Sequence, residues 1–521
     1  MAVVTITASE IMKMTGLSKE QVLDGLGSLG APTEEAEGEM FVEVTPNRPD
    51  LFSIEAIARA LNSYYGKGTP KYEAKKSDYK AKIDSSVGKS RPFFVSAVVK
   101  GVRMDESVLK SLIQLQEKLH DTIGRKRKKV AIGIHNLDAV EFPLIYKFSK
   151  EEKFVPLDFN REMGIREVLE NHPKGRAYAH LVKDGYPMLC DKKSVLSFPP
   201  IINSERTRVT ESTQNLLVDI TGTHEATLSG VLNIIVCALA DRGGEIFEVK
   251  VGKGAYPQLA PKKMKLDLNG INKLLGEKYA KEQAFANLAR LGWSNDGKSS
   301  VFVPPYRLDV SHYADVAEDV AIAHGYNEYV PTVPNFFIPG SLAYNNDDVR
   351  QALVGLGFLE VVNYALTNEA KLARAHEGAK PVKIINPKTE EFTLLRTSLA
   401  VSLLDNLAAN KTHELPVKIF EIGRAYEHGE KIHLAFAVSA ESLDFATMKG
   451  ILQSVSIVIE RDFQLKPTQN KLFVGGRGAD IFYNNTKVGG MGELNPAILE
   501  EFGIENPVGM CEIEITKLKL Q

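Results

Sequence analysis

The side chains best placed to do chemistry in this 521-residue chain are acidic. Asp309, Asp315, Glu318 and Asp319 lie in the run Arg307-Leu308-Asp309-Val310-Ser311-His312-Tyr313-Ala314-Asp315-Val316-Ala317-Glu318-Asp319. Asp315, Glu318 and Asp319 are spaced i, i+3 and i+4, which a helix sets on one face. Asp309 lies just before that helix, with Ser311 as its candidate N-cap. Carboxylates crowded on one turn repel. A hard cation that takes oxygen ligands, Mg²⁺ above all, would relieve the repulsion as a structural or interface ion. The competing explanation is that first helical turns are acidic in any case, because negative charge complements the helix dipole. The densest positive charge is Arg125-Lys126-Arg127-Lys128-Lys129. It follows a helix C-terminus, where Lys and Arg are favoured by the same dipole, and it would also suit nucleic-acid phosphates.

The elements that must position these groups imply several domains. A chain of this length exceeds one core at roughly 100–200 residues per domain. Lys+Arg total 64 against Asp+Glu 66, a formal net charge of −2, so nucleic acid could be held only by local patches, not by bulk charge. Cys190, Cys237 and Cys511 are odd in number and far apart, which argues against a disulfide framework or a Cys-ligated zinc and suits a reducing cytoplasm. The N-terminal residues lack a basic segment followed by an apolar core, and no 18-residue apolar run occurs, so secretion and membrane spanning are not expected.

Periodicity predicts an N-terminal α+β domain over 1–65. In it, strands at Val3–Thr7 and Met40–Thr45 flank short helices at Ser9–Thr15 and Ser18–Gly27, and Asn47-Arg48-Pro49-Asp50-Leu51 caps a helix over Ser53–Tyr64. Residues 66–90, rich in Lys, Gly and Ser, read as a linker. A β-rich domain over 91–254 is expected to hold a helix capped by Asp105 with the stripe Val108, Leu112, Leu115 and Leu119. Its strands are expected near Pro92–Val99, Val130–Ile134, Val195–Phe198, Leu216–Ile220 and Ile246–Val251, with an apolar helix over Leu228–Ala240. Residues 255–335 form a helical domain ending in a helix over Tyr313–His324. The Pro-spaced segment 331–339 marks a boundary. Beyond it, 340–521 is a mixed α/β region, with strands at Glu360–Leu366, Val417–Ile422, Ile432–Val438, Ala479–Tyr483 and Met510–Ile515. The fold class expected is α+β multidomain.

Five segments carry a resemblance, in order along the chain: Asn47–Leu51 (NRPDL), Val130–Asp138 (VAIGIHNLD), Ser197–Asn203 (SFPPIIN), Val218–Thr223 (VDITGT) and Val303–Asn327 (VPPYRLDVSHYADVAEDVAIAHGYN). Together they resemble the β subunit of phenylalanyl-tRNA synthetase of the archaeal and eukaryotic type. The resemblance implies an aminoacyl-tRNA ligase subunit in the cytoplasm, partnered by a catalytic α subunit as an α2β2 heterotetramer, acting on phenylalanine tRNA with ATP. It also implies that Asp309, Asp315, Glu318 and Asp319 hold Mg²⁺. The last position is often Glu in bacterial forms.

Residues 91–254 resemble the family's editing domain, which hydrolyses Tyr wrongly attached to phenylalanine tRNA. An apolar pocket rejects one extra hydroxyl only by roughly 10²-fold, so a second pocket that hydrogen-bonds the hydroxyl has a physical purpose. Asp219 and Thr221 alternate along a strand and so face one side. With Ser197 and Asn203 they are the candidate polar walls. His135 and Glu211 are weaker candidates for orienting water or the ester, and turn or capping roles compete for all of them. No Ser-His-Asp or Cys-His nucleophile is evident.

Residues 340–521 resemble a class II synthetase core with an antiparallel sheet, and Phe420–Glu427 resembles its second motif. The third motif should place an Arg at a helix start after a Gly-rich segment. Gly475-Gly476-Arg477-Gly478 reads as a turn, and Gly489-Gly490-Met491-Gly492 leads to Glu493 and Pro496. The domain is therefore expected to be catalytically inactive and to pack against the α subunit. Two alternatives remain open at this point: a free-standing deacylase, and a scaffold with vestigial editing.

Overall fold

The computed structural model describes residues 2–182, 185–333, 338, 340, 346–375, 380–427 and 429–518. They fall into two compact units, Met1–Val333 and Pro334–Gln521, each a mixture of helix and sheet. Of the Pro-spaced segment 331–339, residues 334–337 and 339 lie outside the described residues. Among the described residues no helix is long and apolar enough to cross a membrane.

The first unit opens with β1 (Ala2–Thr7), whose alternating pattern buries Val4 and Ile6. It forms a three-stranded antiparallel sheet in which β3 (Glu39–Val44) lies between β1 and β2 (Thr33–Ala36). The strand β2 is not among the expected elements, because only its backbone pairs while its side chains stay largely exposed. Helix α1 (Ile54–Tyr64) begins at Ser53, whose hydroxyl accepts the Ala56 N–H at 3.3 Å, and Ile57, Ala58 and Leu61 are buried. The NRPDL run does not itself cap this helix. Pro49–Leu51 is a 3-10 turn in which Arg48 donates twice to Asp50, both at 2.9 Å.

Residues 66–90 are more than a linker. They supply β4 (Lys80–Ile83), which runs parallel to both of its neighbours inside the large sheet. Such a strand is held by its ladder as much as by its side chains, so composition alone does not reveal it. The other strands are β5 (Phe93–Lys100), β6 (Val130–Asn136), β7 (Leu144–Phe148), β8 (Pro187–Cys190), β9 (Val195–Phe198), β10 (Ile202–Asn203), β11 (Leu216–Gly222) and β12 (Glu245–Val251). Their order is β10-β9-β8-β7-β4-β12-β5-β11-β6, with Gly254–Tyr256 paired to β12.

Two helices pack on this sheet. In α2 (Glu106–Asp121), Asp105 accepts the Val108 N–H at 2.9 Å, and Val108, Leu112, Leu115 and Leu119 are buried. The helix α3 (Glu225–Ala240) is apolar on nearly every side because it is buried on nearly every side. The unit closes with a small sheet of Lys262–Lys265, Ser294–Asn295 and Ser300–Val303, the helices Leu268–Leu275 and Lys281–Arg290, and α4 (Tyr313–His324).

In the second unit seven described strands form one sheet, and Leu366–Thr367 pairs separately with Leu394–Leu395. The order of the seven is Leu359–Glu360, Val417–Tyr426, Glu430–Ser439, Val508–Glu514, Thr486–Leu494, Phe473–Tyr483 and Gln464–Pro467, antiparallel except for the first pair. The expected strand over Glu360–Leu366 is broken into Leu359–Glu360 and Leu366–Thr367. Both Gly-rich segments lie inside strands, neither as a turn nor as a phosphate loop. A Cβ on Gly489 would sit 2.0 Å from the Glu512 carbonyl oxygen, so glycine there lets two strands approach. Arg477 is paired with Glu493 at 2.7 Å.

Candidate functional site

The four carboxylates of the acidic run do not converge. Helix α4 rotates successive residues by about 100°, so Glu318 is exposed while its neighbour Asp319 is buried. Asp315 turns back on its own helix start, accepting the backbone N–H groups of Ser311 and His312, both at 2.7 Å. Burial works against its charge, but these bonds hold it below the usual carboxylate range. The N-cap is His312, not Ser311.

Asp309 and Asp319 are both taken by Arg307. Its guanidinium donates to Asp309 at 2.8 and 2.7 Å and to Asp319 at 2.7 and 3.1 Å. Trp293 adds a 2.8 Å bond from its indole N–H to Asp319. Among the described residues no three His, Cys, Asp or Glu side chains are grouped to hold a metal. The donors are of the hard type Mg²⁺ takes, but a buried guanidinium occupies the place an ion would need. The expected four-ligand site does not fit as these residues stand.

A cavity of about 230 Å³ lies in the β-rich part of the first unit. Its apolar walls come from Leu109, Leu112 and Ile113 of α2, Ile132 and Ile134 of β6, and the segment Phe198–Ile202. Three of the four expected pocket residues, Ser197, Asn203 and Asp219, line it. Thr221 does not. Its hydroxyl accepts from the Arg91 guanidinium at 2.8 Å, and Arg91 in turn donates to the Arg127 carbonyl oxygen at 3.1 Å, so Thr221 supports the wall from behind. Burial pulls the Arg91 guanidinium down to about 10. Glu211 is exposed and outside the cavity.

Asp219 is buried, and its partner is His135. The His135 Nε2 lies 2.8 Å from Asp219 Oδ2, and the Nδ1 lies 2.7 Å from the Thr207 hydroxyl. A carboxylate only accepts, so the Nε2 carries the proton toward it. The Thr207 hydroxyl then donates to Nδ1, or accepts from it and donates to the Ser204 carbonyl oxygen at 3.4 Å. In either arrangement Oδ2 is occupied, while Oδ1 accepts no hydrogen bond from the described residues. One carboxylate oxygen is thus presented in an apolar cavity as a fixed acceptor.

The remaining polar lining is cationic at one side. Arg127 donates to the carbonyl oxygens of Pro200 (3.3 Å) and Ile201 (3.1 Å) and to Glu117 (3.0 Å). His120, whose Nδ1 lies 3.6 Å from Glu117 Oε1, and then Arg127 hold the Glu117 carboxyl down at about 2. His120 accepts the Ile132 N–H on Nε2 at 2.9 Å, which requires a neutral ring, and its burial favours that form. The Ser197 hydroxyl is buried without a hydrogen-bond partner among the described residues, and Asn203 donates to the Ile134 carbonyl oxygen at 3.2 Å. Thr207, Glu117, His120, Arg127 and Lys174 line the cavity but are not among the expected pocket residues. Gly133 could have been noticed: a lone glycine within Val-Ala-Ile-Gly-Ile-His marks a close approach.

Residues 332–515 match the family model described as the phenylalanyl tRNA synthetase beta chain CLM domain, and residues 264–326 that of the tRNA synthetase B5 domain. The chain is 40% identical to the phenylalanine–tRNA ligase beta subunit of Archaeoglobus fulgidus, over 99% of this chain and 98% of that protein. It is 34% identical to the protein of the same name from Methanothrix thermoacetophila, over 99% and 100%. Among solved structures it resembles an N-terminal fragment of the phenylalanyl-tRNA synthetase beta subunit of Pyrococcus horikoshii. There the identity is 37% and the TM-score 0.58, covering 62% of this chain and 99% of that one.

Proposed function

The chain belongs to the family of phenylalanine–tRNA ligase β subunits, and from that premise we propose that its cavity hydrolyses Tyr wrongly esterified to phenylalanine tRNA, while a separate α subunit performs the ATP-dependent charging. The observation that carries this reading is the fixed acceptor, Asp219 Oδ1, in a cavity whose walls from α2 and β6 are apolar and whose cations stand at one side. A tyrosyl ring would lie against the walls from α2 and β6 and donate its phenolic O–H to Asp219. A phenylalanyl ring would leave that carboxylate unsatisfied at a cost of roughly 1–3 kcal/mol or more. Water adds to the ester carbonyl and the acyl–oxygen bond breaks. Tyrosine leaves as the carboxylate, the ribose oxygen takes one of the water's protons, and the other passes to solvent. The Ser197 hydroxyl is free to donate to the ester, and no protein nucleophile is needed.

The test is co-purification with the α subunit, followed by charging and mischarged-tRNA hydrolysis assays on wild type and Asp219→Ala. Hydrolysis lost with charging retained supports the reading. Equal hydrolysis by both would end it.

For the second unit, we keep the reading of a class II-like fold without adenylation chemistry. Its support is the commitment of Arg477 to Glu493 and of both Gly-rich segments to strands. Docking on the α subunit is supported by exposed apolar side chains, among them Val362 (90% exposed) and Tyr364 (78%). The α2β2 assembly, phenylalanine tRNA as the RNA bound and a cytoplasmic location are part of the same proposal. Mg²⁺ at the acidic run enters it only on condition that Asp309 and Asp319 leave Arg307. The surplus of carboxylates over arginine is the support for an ion there.

A further inference from the structure

The basic run at 125–129 has a shape that a merely solvated helix end does not need. Arg125, Lys126 and Arg127 are three consecutive non-glycine residues in the left-handed region, with φ of 50°, 52° and 66°. L-residues seldom take that conformation singly and rarely in succession. The loop is pinned at both ends: Gly124 N–H donates to the Leu119 carbonyl oxygen at 2.8 Å, and Lys129 N–H to that of Gly124 at 2.8 Å.

The turn splits the side chains. Arg127 points inward, is buried, lines the cavity and lies 4.8 Å over the Tyr178 ring. Arg125, Lys126 and Lys128 point outward. None of these three forms an ion pair among the described residues. Lys174, exposed and also without an ion pair among them, lines the same cavity. Asp121, one turn back on α2, is the nearest acidic residue along the chain.

The cavity itself, at about 230 Å³, is smaller than the roughly 300–1,000 Å³ of sites that enclose a whole small ligand. It has room for an aromatic aminoacyl group and not for the polynucleotide attached to it. The rest of the substrate must remain outside, and exposed lining residues such as Ile113 and Lys174 mark the mouth.

We propose that Arg125, Lys126 and Lys128, with Lys174, form a docking surface for the phosphodiester backbone at the 3′ end of the RNA whose terminal ester occupies the cavity. The proposal rests on the reading of the cavity as an ester-hydrolysing pocket. The strained turn serves it by anchoring one cation inward at the wall while presenting its neighbours outward to phosphate. A net charge of −2 over the whole chain makes such a patch the local source of attraction.

The experiment uses the holoenzyme with the α subunit and compares wild type with the triple variant Arg125→Gln/Lys126→Gln/Lys128→Gln. Two substrates are needed: Tyr-charged phenylalanine tRNA and the tyrosyl ester of adenosine, which has the ester but no phosphates. The triple variant is expected to raise KM for the charged tRNA roughly tenfold, and to flatten its log–log dependence on KCl concentration by about 2 for three lost phosphate contacts. Hydrolysis of the adenosine ester stays as in wild type. A second triple variant, Arg125→Lys/Lys126→Arg/Lys128→Arg, retains the wild-type salt slope. An unchanged KM for the charged tRNA overturns the proposal, as does equal loss on both substrates. Wild type hydrolysing neither substrate overturns the ester-hydrolysis reading as well. Wild type active on both, with the first triple variant indistinguishable from it, removes only the docking surface.

Discussion

Gly133 and Asp219 face each other across β6 and β11, and a Cβ on Gly133 would lie 2.0 Å from Asp219 Oδ2 and 3.0 Å from His135 Nε2. The absent side chain is the space in which the carboxylate and the imidazole meet. Gly133→Ala is therefore expected to push Asp219 off its rotamer. The measurement is the ratio of Tyr-ester to Phe-ester hydrolysis by the holoenzyme, expected to fall at least tenfold. A wild-type ratio in a folded Gly133→Ala protein would mean the carboxylate does not read the substrate.

In the proposed pocket His135 would act through Asp219, and Thr207, which also lines the cavity, holds the imidazole at 2.7 Å. Thr207→Val removes the hydroxyl at nearly constant volume and frees the imidazole to turn. It should reduce discrimination between the two esters by about tenfold or more, while Thr207→Ser restores it, since a hydrogen bond to a charged network is worth about 1.5–3 kcal/mol. A uniform loss on both esters would indicate simple destabilisation instead.

The chain has a single tryptophan, Trp293, and its indole N–H is bonded to Asp319. Its emission reports directly on the acidic run. Adding Mg²⁺ to chelator-treated protein is expected to leave that emission unchanged, because Arg307 is the counter-charge. A saturable change would show Asp319 exchanging the guanidinium for the ion. Arg307→Ala, by stranding two carboxylates, should cost about 3–5 kcal/mol in denaturant unfolding.

On the acid side, Glu117 and His120 work in the same direction. The folded-state value of Glu117, about 2 against an ordinary 4.5, means it stabilises the fold above 4.5 and loses that contribution as pH falls toward 2. His120, kept neutral by burial, likewise favours the fold above its ordinary 6.5 and opposes it as pH falls below that. Glu117→Gln should make the acid limb of stability shallower between pH 4.5 and 2, read from thermal unfolding midpoints.

Lys126→Gly removes a left-handed strain of about 1 kcal/mol. The variant should be more stable than wild type and poorer on charged tRNA. A gain in stability with no loss in KM would separate the strain from the RNA contact.

Much of the frame was legible in the sequence because periodicity and capping agree. Asp105 with its stripe of Val108, Leu112, Leu115 and Leu119 defines α2, and Tyr313–His324 defines α4. The cavity was legible in part. Ser197, Asn203 and Asp219 are polar residues in apolar segments, and such residues need a reason. Thr207 and His135 were harder, since their meaning comes from ring atoms meeting groups 72 and 84 positions away along the chain. The acidic run misled because spacing at i, i+3 and i+4 tells which side chains are near one another, not which of them an arginine has already claimed. Gly475-Gly476-Arg477-Gly478 misled as a turn because glycine permits both a turn and an extended strand, and the segment lies inside a strand. For Gly489 the partner strand gives the reason for glycine, with the Glu512 carbonyl oxygen 2.0 Å from where a Cβ would sit.

Helix α1 puts buried charges near the start of the chain whose partners come much later. Arg59 meets Asp241 at 2.6 Å and Glu55 meets Arg242 at 2.7 Å, whereas Arg48 and Asp50 pair with each other at 2.9 Å. During synthesis at about 5–20 residues per second, the first sixty residues emerge roughly 9–36 s before Asp241 and Arg242. Through that interval Arg59 and Glu55 lack the partners that hold them in the folded unit.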